Sequence, residues 1–375
     1  MTELSIQLST GRLRLLSDRN YIKFLCDFAA RANPKRGFLI VSKILGRHIP
    51  AAPSHMRQSM NALASMLPAD LPQPIAFLGM AETATALGQG VFAGYRAQHP
   101  DALAIYLQTS RQRVAGASII ASFEEGHSHA TTHLVQIADP IISQHAAKAR
   151  TLVVIDDECS TGNTFKAGIE AMYAAMPELE RVETCCITDW SGGIYRAELP
   201  LPTVAHAILH GKMDWEPTAD AKAPSLEAGS NHPGTAPATG MGCRIGLLNP
   251  ERADRARVEI QPGERVLVLG EGEHSYEALL VAEEIETFGG HAAVQCITRS
   301  PVLQGHAIKS KSRFTDSYGS GAPCFLYNIL SHHPDLVIIV SEIEGNQITE
   351  TRAALKELGS SIPVYQLSCT YSRNA

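Results

Sequence analysis

The stretch TLVVIDDECSTGNTFKAGIEAM, Thr151 to Met172, decides how the chain is read. An almost unbroken apolar run ends in two adjacent acids, a loop of small residues follows, and then a segment of helical spacing begins. Leu152 to Asp156 reads as a buried strand, and Phe165, Ile169, Met172 and Met176 recur at the period of a helix face. Ser160 to Thr164 therefore lies at a strand-to-helix turn, where unpaired backbone N–H groups converge. Ser160, Thr161, Gly162, Asn163 and Thr164 offer amide and hydroxyl donors, and the glycine lets the backbone approach a phosphate closely. Asp156 and Asp157 at the end of the strand stand beside that cup, where carboxylates accept hydrogen bonds from sugar hydroxyls or hold magnesium through water. Together the parts suit a ribose 5-phosphate. Taken singly they also fit a Walker-B-like strand, a response-regulator acidic pocket, or a helix merely capped by Ser160.

Composition narrows the class. At 375 residues, 45% of them hydrophobic, the chain is long for a single core and predicts two α/β domains. A net charge of -6 makes no electrostatic case for a nucleic-acid or membrane surface, so any anion site has to be built locally. Eight cysteines without a CxxC pair predict small core residues of a reducing, cytoplasmic compartment, with neither disulfides nor zinc. The N-terminus has no apolar signal region, and no run approaches the roughly 18 apolar residues of a membrane span.

Short apolar runs alternate with helical segments. PIAFLG (Pro74 to Gly79), LAIYL (Leu103 to Leu107), LVVID (Leu152 to Asp156) and ETCCIT (Glu183 to Thr188) read as strands, as do RVLVLG, AAVQCIT, DLVIIV and PVYQL further on. Their continuous apolar character predicts a mainly parallel sheet covered on both faces by helices. Pro217 to Gly242 is rich in Pro, Gly, Ala and Ser and poor in large apolar residues, the composition of a linker or long loop. The expected organisation is one domain over 1–215, a linker over 216–242 and a second domain over 243–375.

Four apolar residues, Asp-Asp, two residues and then Ser-Thr-Gly-x-Thr resemble the phosphoribosyl pyrophosphate signature of the type I phosphoribosyltransferases. The resemblance implies that family's α/β fold, a mainly parallel sheet flanked by helices. It implies that Asp156 and Asp157 contact the ribose hydroxyls and that Ser160 to Thr164 bind the 5-phosphate. The chain departs from the pattern at Glu158, where the family carries an apolar residue; Glu158 faces solvent on the favoured reading and adds a third carboxylate to the site on the other. AFLGMAETATALG, Ala76 to Gly88, occupies the place of the pyrophosphate loop, with Gly79, Met80, Ala81, Glu82 and Thr83 as its binding residues. A plain strand-loop-helix connection would look the same. The interval that follows matches a mobile loop over the site, in which Arg111 and Arg113 neutralise the departing pyrophosphate and His127 and His129 donate hydrogen bonds to it. The spacing of His127, His129 and His133 could also serve a metal, or the three could be plain surface residues. The basic run with Arg31, Lys35, Arg36 and Lys43 forms a hood over the substrate or a solvated face.

GEGEHSYEALLVAEEIETFGG, VQCITRSPVLQGHAI and FTDSYGSGAPCFLYN resemble the TRSP domain, named for Thr298, Arg299, Ser300 and Pro301, which follows a phosphoribosyltransferase in bacterial tellurium-resistance gene clusters. A second, smaller Rossmann-like α/β domain is thereby implied. Its candidate site comprises Glu273, His274, Arg299, Ser300 and Asp316, at strand ends where such sheets bind ligands. There Arg299 and Ser300 grip a phosphate or carboxylate of the acceptor or a later intermediate, or Arg299 simply pairs with Asp316. The expected activity is a pentosyltransferase one: phosphoribosyl pyrophosphate with Mg2+ as donor, a small acceptor of unknown identity in a nucleoside-like pathway, and pyrophosphate as leaving group. No all-protein metal cage is expected. A homodimer and proteins of the same gene cluster are the implied partners. The rival readings are a regulator that senses the donor without catalysis and a scaffold in a multi-protein complex.

Overall fold

The computed structural model describes residues 2–17, 22–31, 33, 36–124, 132–218, 235–236, 242–250, 259–342, 348–357 and 361–368. The chain opens with a hairpin, β1 (Thr2–Leu8) and β2 (Gly11–Ser17). Apolar and charged residues alternate in β2, so Leu13 and Leu15 turn inward while Arg12 and Arg14 stay outside. After the single turn α1 (Ile22–Leu25) comes a second hairpin, β3 (Cys26–Ala30) with β4 (Phe38–Ser42). Pro53 starts the helix α2 (Pro53–Ala64), which buries Met56, Met60, Leu63 and Ala64 on one face.

Strands and helices then alternate: β5 (Ile75–Gly79), α3 (Thr85–Gln98), β6 (Ala104–Ser110), the short β7 (Arg113–Val114), β8 (Ser118–Glu124) and β9 (Thr132–Ile137). Next come α4 (Pro140–Ala147), β10 (Thr151–Ile155), β11 (Glu158–Cys159), α5 (Asn163–Ala175), β12 (Arg181–Asp189) and β13 (Thr203–Pro217). They form one sheet in the order β1-β2-β13-β12-β10-β5-β6-β9-β8, with β11 beside β12. From β13 to β6 the neighbours are parallel, and antiparallel strands close both flanks. Every residue of β5 and β10 is buried, as their continuous apolar sequence predicts. Ile155 stands opposite both Gly79 and Cys185, so the C-terminal ends of β10, β5 and β12 lie side by side. Close packing fixes the start of α3 against this edge, for a Cβ at Gly88 would lie 2.6 Å from the Cα of Gly79.

The remaining elements are β14 (Thr235–Ala236), α6 (Gly242–Ile245), β15 (Arg265–Gly270), α7 (Tyr276–Thr287), β16 (His291–Cys296), β17 (Lys311–Thr315), β18 (Pro323–Tyr327), β19 (Leu336–Ser341), α8 (Thr349–Glu357) and β20 (Val364–Ser368). Four of these strands make a second, parallel sheet in the order β16-β15-β19-β20. The order reverses between β15 and β19, the crevice position of a doubly wound sheet.

The two sheets share one hydrophobic cluster. Met56, Met60, Leu87 and Val91 from the first belong with Val266, Leu279, Ala282 and Val294 from the second. Ala51 and Val294 exchange two backbone hydrogen bonds of 2.9 Å each. Arg57 on α2 reaches Glu283 on α7 at 2.7 and 2.9 Å and the Tyr276 hydroxyl at 3.0 Å. Leu303 and Ala307 donate from their backbone N–H groups to the carbonyls of Ala30 and Phe28, at 3.0 and 3.1 Å, so the second unit also lies along β3. Among the described residues, no helix is long and apolar enough to cross a membrane.

Candidate active site

At the C-terminal end of β10 the chain turns through Asp156 and Asp157 into the short β11, and then through Ser160 to Gly162 into α5. Gly162 adopts φ +87°, the left-handed region, and a Cβ there would lie 2.2 Å from the Cγ of Tyr195. The tyrosine is held by a 2.8 Å hydrogen bond between its hydroxyl and that of Thr184 on β12, so the turn is shaped from outside. The result is a helix N-terminus whose donors face a cavity of about 170 Å³. Asp156, Asp157 and the whole of Ser160 to Thr164 line that cavity. The Asp156 carboxylate accepts a 2.9 Å hydrogen bond from the Asp157 backbone N–H, which fixes the bend between the two acids. Burial pushes the Asp157 carboxyl above its ordinary range, against the pull of Arg36 and Arg47.

Glu158 does not face solvent. Its side chain is 11% exposed, lines the same cavity and pairs with Arg36 at 2.6 Å. The β3–β4 hairpin brings the arginine over the cup, so the third acid has a counter-ion and stays inside. Burial pushes Glu158 upward, with Arg36 opposing it. The hairpin also supplies Arg31, Leu39, Ile40 and Ser42; of the basic run, Arg31 and Arg36 line the cavity, Lys43 does not, and Lys35 lies outside the described residues. Arg47 and His48, at the end of the same run and not among its residues marked by the sequence, also line the cavity. Burial, with Arg47 and Arg31 alongside, lowers His48 to about 3, leaving an uncharged imidazole at neutral pH.

Beyond β5, Ala81, Glu82 and Thr83 reach the cavity, whereas Gly79 and Met80 do not line it. The Met80 N–H is used on the Ile155 carbonyl at 3.0 Å and the Ala81 N–H on the Thr109 hydroxyl at 2.7 Å. The amides of Glu82 and Thr83 are left without a protein partner among the described residues. Thr109 in turn meets the Nδ1 of His133 at 2.9 Å, and Phe123 stacks on that buried ring with centroids 4.6 Å apart. His133 therefore braces the loop from behind. His127 and His129 lie outside the described residues.

The two predicted arginines separate. Arg111 is buried and lines the cavity, donating to the Thr132 carbonyl at 3.0 Å and the Ala81 carbonyl at 3.4 Å. Arg113 is exposed on β7, away from the cavity lining, because β7 pairs its backbone with β14 and turns the side chain outward.

Of the second unit's candidate residues, Glu273, Arg299 and Asp316 line a small crevice of about 20 Å³ together with Glu271 and Tyr318, while His274 and Ser300 do not. Thr298, Arg299 and Ser300 line the same cavity as the acid pair. Arg299 pairs with Asp316 at 2.9 Å and lies 3.6 Å from the Glu82 carboxylate, while its backbone N–H donates to the other Glu82 oxygen at 3.1 Å. Glu273 and His274 are buried behind this wall. Glu273 accepts from the Ser110 hydroxyl at 2.7 Å and the Arg111 N–H at 2.5 Å, and pairs with Arg244 at 2.8 Å. His274 lies 3.5 Å from Glu277. Arg244, which the sequence did not mark, is wholly buried between Glu273 and Glu342, with Gln112 and the Tyr318 hydroxyl as further acceptors.

Glu271 sits deeper still, accepting from Ser317 at 2.8 Å, and burial raises it to about 7. A carboxyl raised in the folded state favours folding fully below its unfolded value of 4.5 and loses that contribution as pH climbs toward 7. Glu271→Gln should remove this dependence. The variant is expected to match the parent near pH 4.5 and to exceed it at pH 8 by on the order of 3 kcal/mol in urea unfolding. A difference that does not change with pH would show that Glu271 is not buried as an acid.

Among known proteins, residues 25–211 match the family described as phosphoribosyl transferase, and residues 249–358 match the TRSP domain C-terminal to it. No curated protein matches. Similar solved structures include adenine phosphoribosyltransferase from Rhodothermus marinus, with 18% identity over 50% of this chain and 96% of that one and a TM-score of 0.33. The enzyme from Trypanosoma brucei, solved with AMP, pyrophosphate and ribose-5-phosphate, has 15% identity over 49% of this chain and 77% of that one, at 0.33. That from Giardia lamblia, with 9-deazaadenine, has 16% identity over 49% and 95%, also at 0.33. The chain belongs to the phosphoribosyl transferase family in the form that carries a TRSP domain after the transferase domain.

Proposed function

We propose that the protein transfers a 5-phosphoribosyl group from phosphoribosyl pyrophosphate to a small nitrogen-bearing acceptor. One observation carries the reading: the acid pair, the Ser160 to Thr164 cup and the Ala81 to Thr83 loop border a single cavity that also holds Arg47 and Arg111. The cup would take the 5-phosphate, Asp156 and Asp157 the ribose hydroxyls, and the Glu82 and Thr83 amides with the arginines the pyrophosphate. Attack on the anomeric carbon forms the new glycosidic bond as the bond to the pyrophosphate oxygen breaks, and the electron pair leaves with pyrophosphate. These residues hold the reacting atoms in line and stabilise the charge that builds on the leaving group. Two carboxylates at one edge of the cavity suit a hard cation such as magnesium, which would neutralise donor oxygens while keeping several waters. The acceptor would enter on the side of Leu39, Ile40, Ser42 and the uncharged His48.

The test is calorimetric titration of the full chain with phosphoribosyl pyrophosphate and Mg2+, followed by pyrophosphate release across a panel of nitrogen bases and amides. Saturable binding followed by release with one acceptor class is expected. No donor binding at millimolar concentration would overturn the reading. Binding without release for any acceptor would favour a donor-sensing regulator.

A further inference from the structure

We propose that Arg299, contributed by the second domain, binds the diphosphate of the donor and so makes that domain part of the transferase site. The inference rests on the donor reading above. Three arginines from three distant segments converge on the Ala81–Glu82 peptide. Arg47 donates to the Glu82 carbonyl and at 2.6 Å to the Ile297 carbonyl, Arg111 donates to the Ala81 carbonyl, and Arg299 holds the Glu82 side chain. Two of these segments precede β10 in the chain; the third is the strand end after β16.

The contacts of Arg299 are distributed in a telling way. Glu82 lies beside its Nε, while Asp316 and the Ser320 hydroxyl take its Nη2. Its Nη1 has no protein partner among the described residues, and the residue lines the cavity. A guanidinium held on two sides with its third nitrogen open is preorganised to bind a phosphate oxygen. Charge points the same way. Glu82 stands in the loop that would meet the diphosphate, and a bare carboxylate there would repel it. Arg299, shared between Glu82 and Asp316, offsets part of that repulsion and keeps a donor to spare. A residue that served only to join the two units would not need to border the cavity, and the join is already made by Arg57 with Glu283 and by Ser110 and the Arg111 N–H with Glu273.

The experiment uses the full chain with Mg2+ and three probes: pyrophosphate, phosphoribosyl pyrophosphate and ribose 5-phosphate. Arg299→Ala should weaken the two diphosphate ligands by about 10- to 100-fold, as expected for removing one charge-assisted hydrogen bond, and ribose 5-phosphate by less than about 2-fold. Arg299→Lys should recover part of the affinity, because it restores the charge without the fork. Parallel weakening of all three probes would reduce Arg299 to a brace of the wall, and unchanged pyrophosphate binding would remove it from the site; either result overturns the proposal. If Arg299→Ala does not fold, Arg299→Lys decides on the same selectivity. A parent chain that binds none of the probes would defeat the donor reading itself, a different failure from the loss of selectivity.

Discussion

Asp156→Asn combined with Asp157→Asn is expected to leave the chain folded and to weaken phosphoribosyl pyrophosphate binding by about 100- to 10,000-fold, taking about 1.5–3 kcal/mol for each charge-assisted hydrogen bond removed. Asparagine keeps the acceptor oxygen that receives the Asp157 N–H, so the bend after β10 should survive. Stability should not suffer. Burial raises the Asp157 carboxyl, so the charged form at neutral pH works against folding, and an uncharged amide relieves it. Calorimetry with Mg2+ and the donor, beside urea unfolding at pH 8, reads both quantities. A double variant that binds the donor as tightly as the parent would end the assignment of the acids to the ribose. A variant that binds poorly only because it is unfolded would place them in the scaffold.

Arg244→Met should be the most destabilising single change outside the apolar core, at about 3–5 kcal/mol, because it leaves two buried carboxylates without their cation. Arg244 is 0% exposed and lies 2.8 Å from Glu273 and 2.5 Å from Glu342, with its guanidinium 5.0 Å from the centre of the Tyr318 ring. No methionine rotamer satisfies those oxygens. Adding Glu273→Gln and Glu342→Gln to Arg244→Met should recover part of the stability, since what destabilises is unpaired charge rather than missing volume. Urea unfolding of the single and triple variants checks this, and a single-variant cost below about 1 kcal/mol would show that water reaches the cluster. Donor affinity should fall as well, because Glu273 also accepts the Arg111 N–H that sets this arginine against Ala81.

What was legible in the sequence follows from burial. β5, β6, β10, β12, β15, β16 and β19 are buried along almost their whole length, so each shows as a largely apolar run, whereas β20 leaves Tyr365 57% exposed. β2 and β13 are buried on one face, and their signal is alternation, as in the Leu13 and Leu15 pattern, which a search for apolar runs passes over. The loop after β10 was legible because its residues are contiguous and the chemistry lies in their order. Arg244 was not: a lone arginine beside Cys243 carries no mark of burial when its carboxylates come from Glu273 and Glu342, far along the chain. Glu158 looks solvent-facing in the sequence for the same reason, since its counter-ion Arg36 belongs to a distant hairpin. The placing of Arg299 in the first domain's cavity depends on how two sheets meet, and no local pattern encodes that.

The continuous core also bears on heredity. Cutting the gene between the two sheets would expose Val266, Leu279 and Val294 on one fragment and Met56, Met60 and Val91 on the other, and would open the cavity along Thr298 to Ser300. Neither fragment would be a self-sufficient unit for recombination to shuffle. A lineage that exchanged its second half for that of a distant relative would have to re-match the Ala51–Val294 seam, the Arg57–Glu283 pair and the Glu82–Arg299 contact at once. The two halves should therefore travel through evolution as a single block, with substitutions on one side of the seam answered on the other.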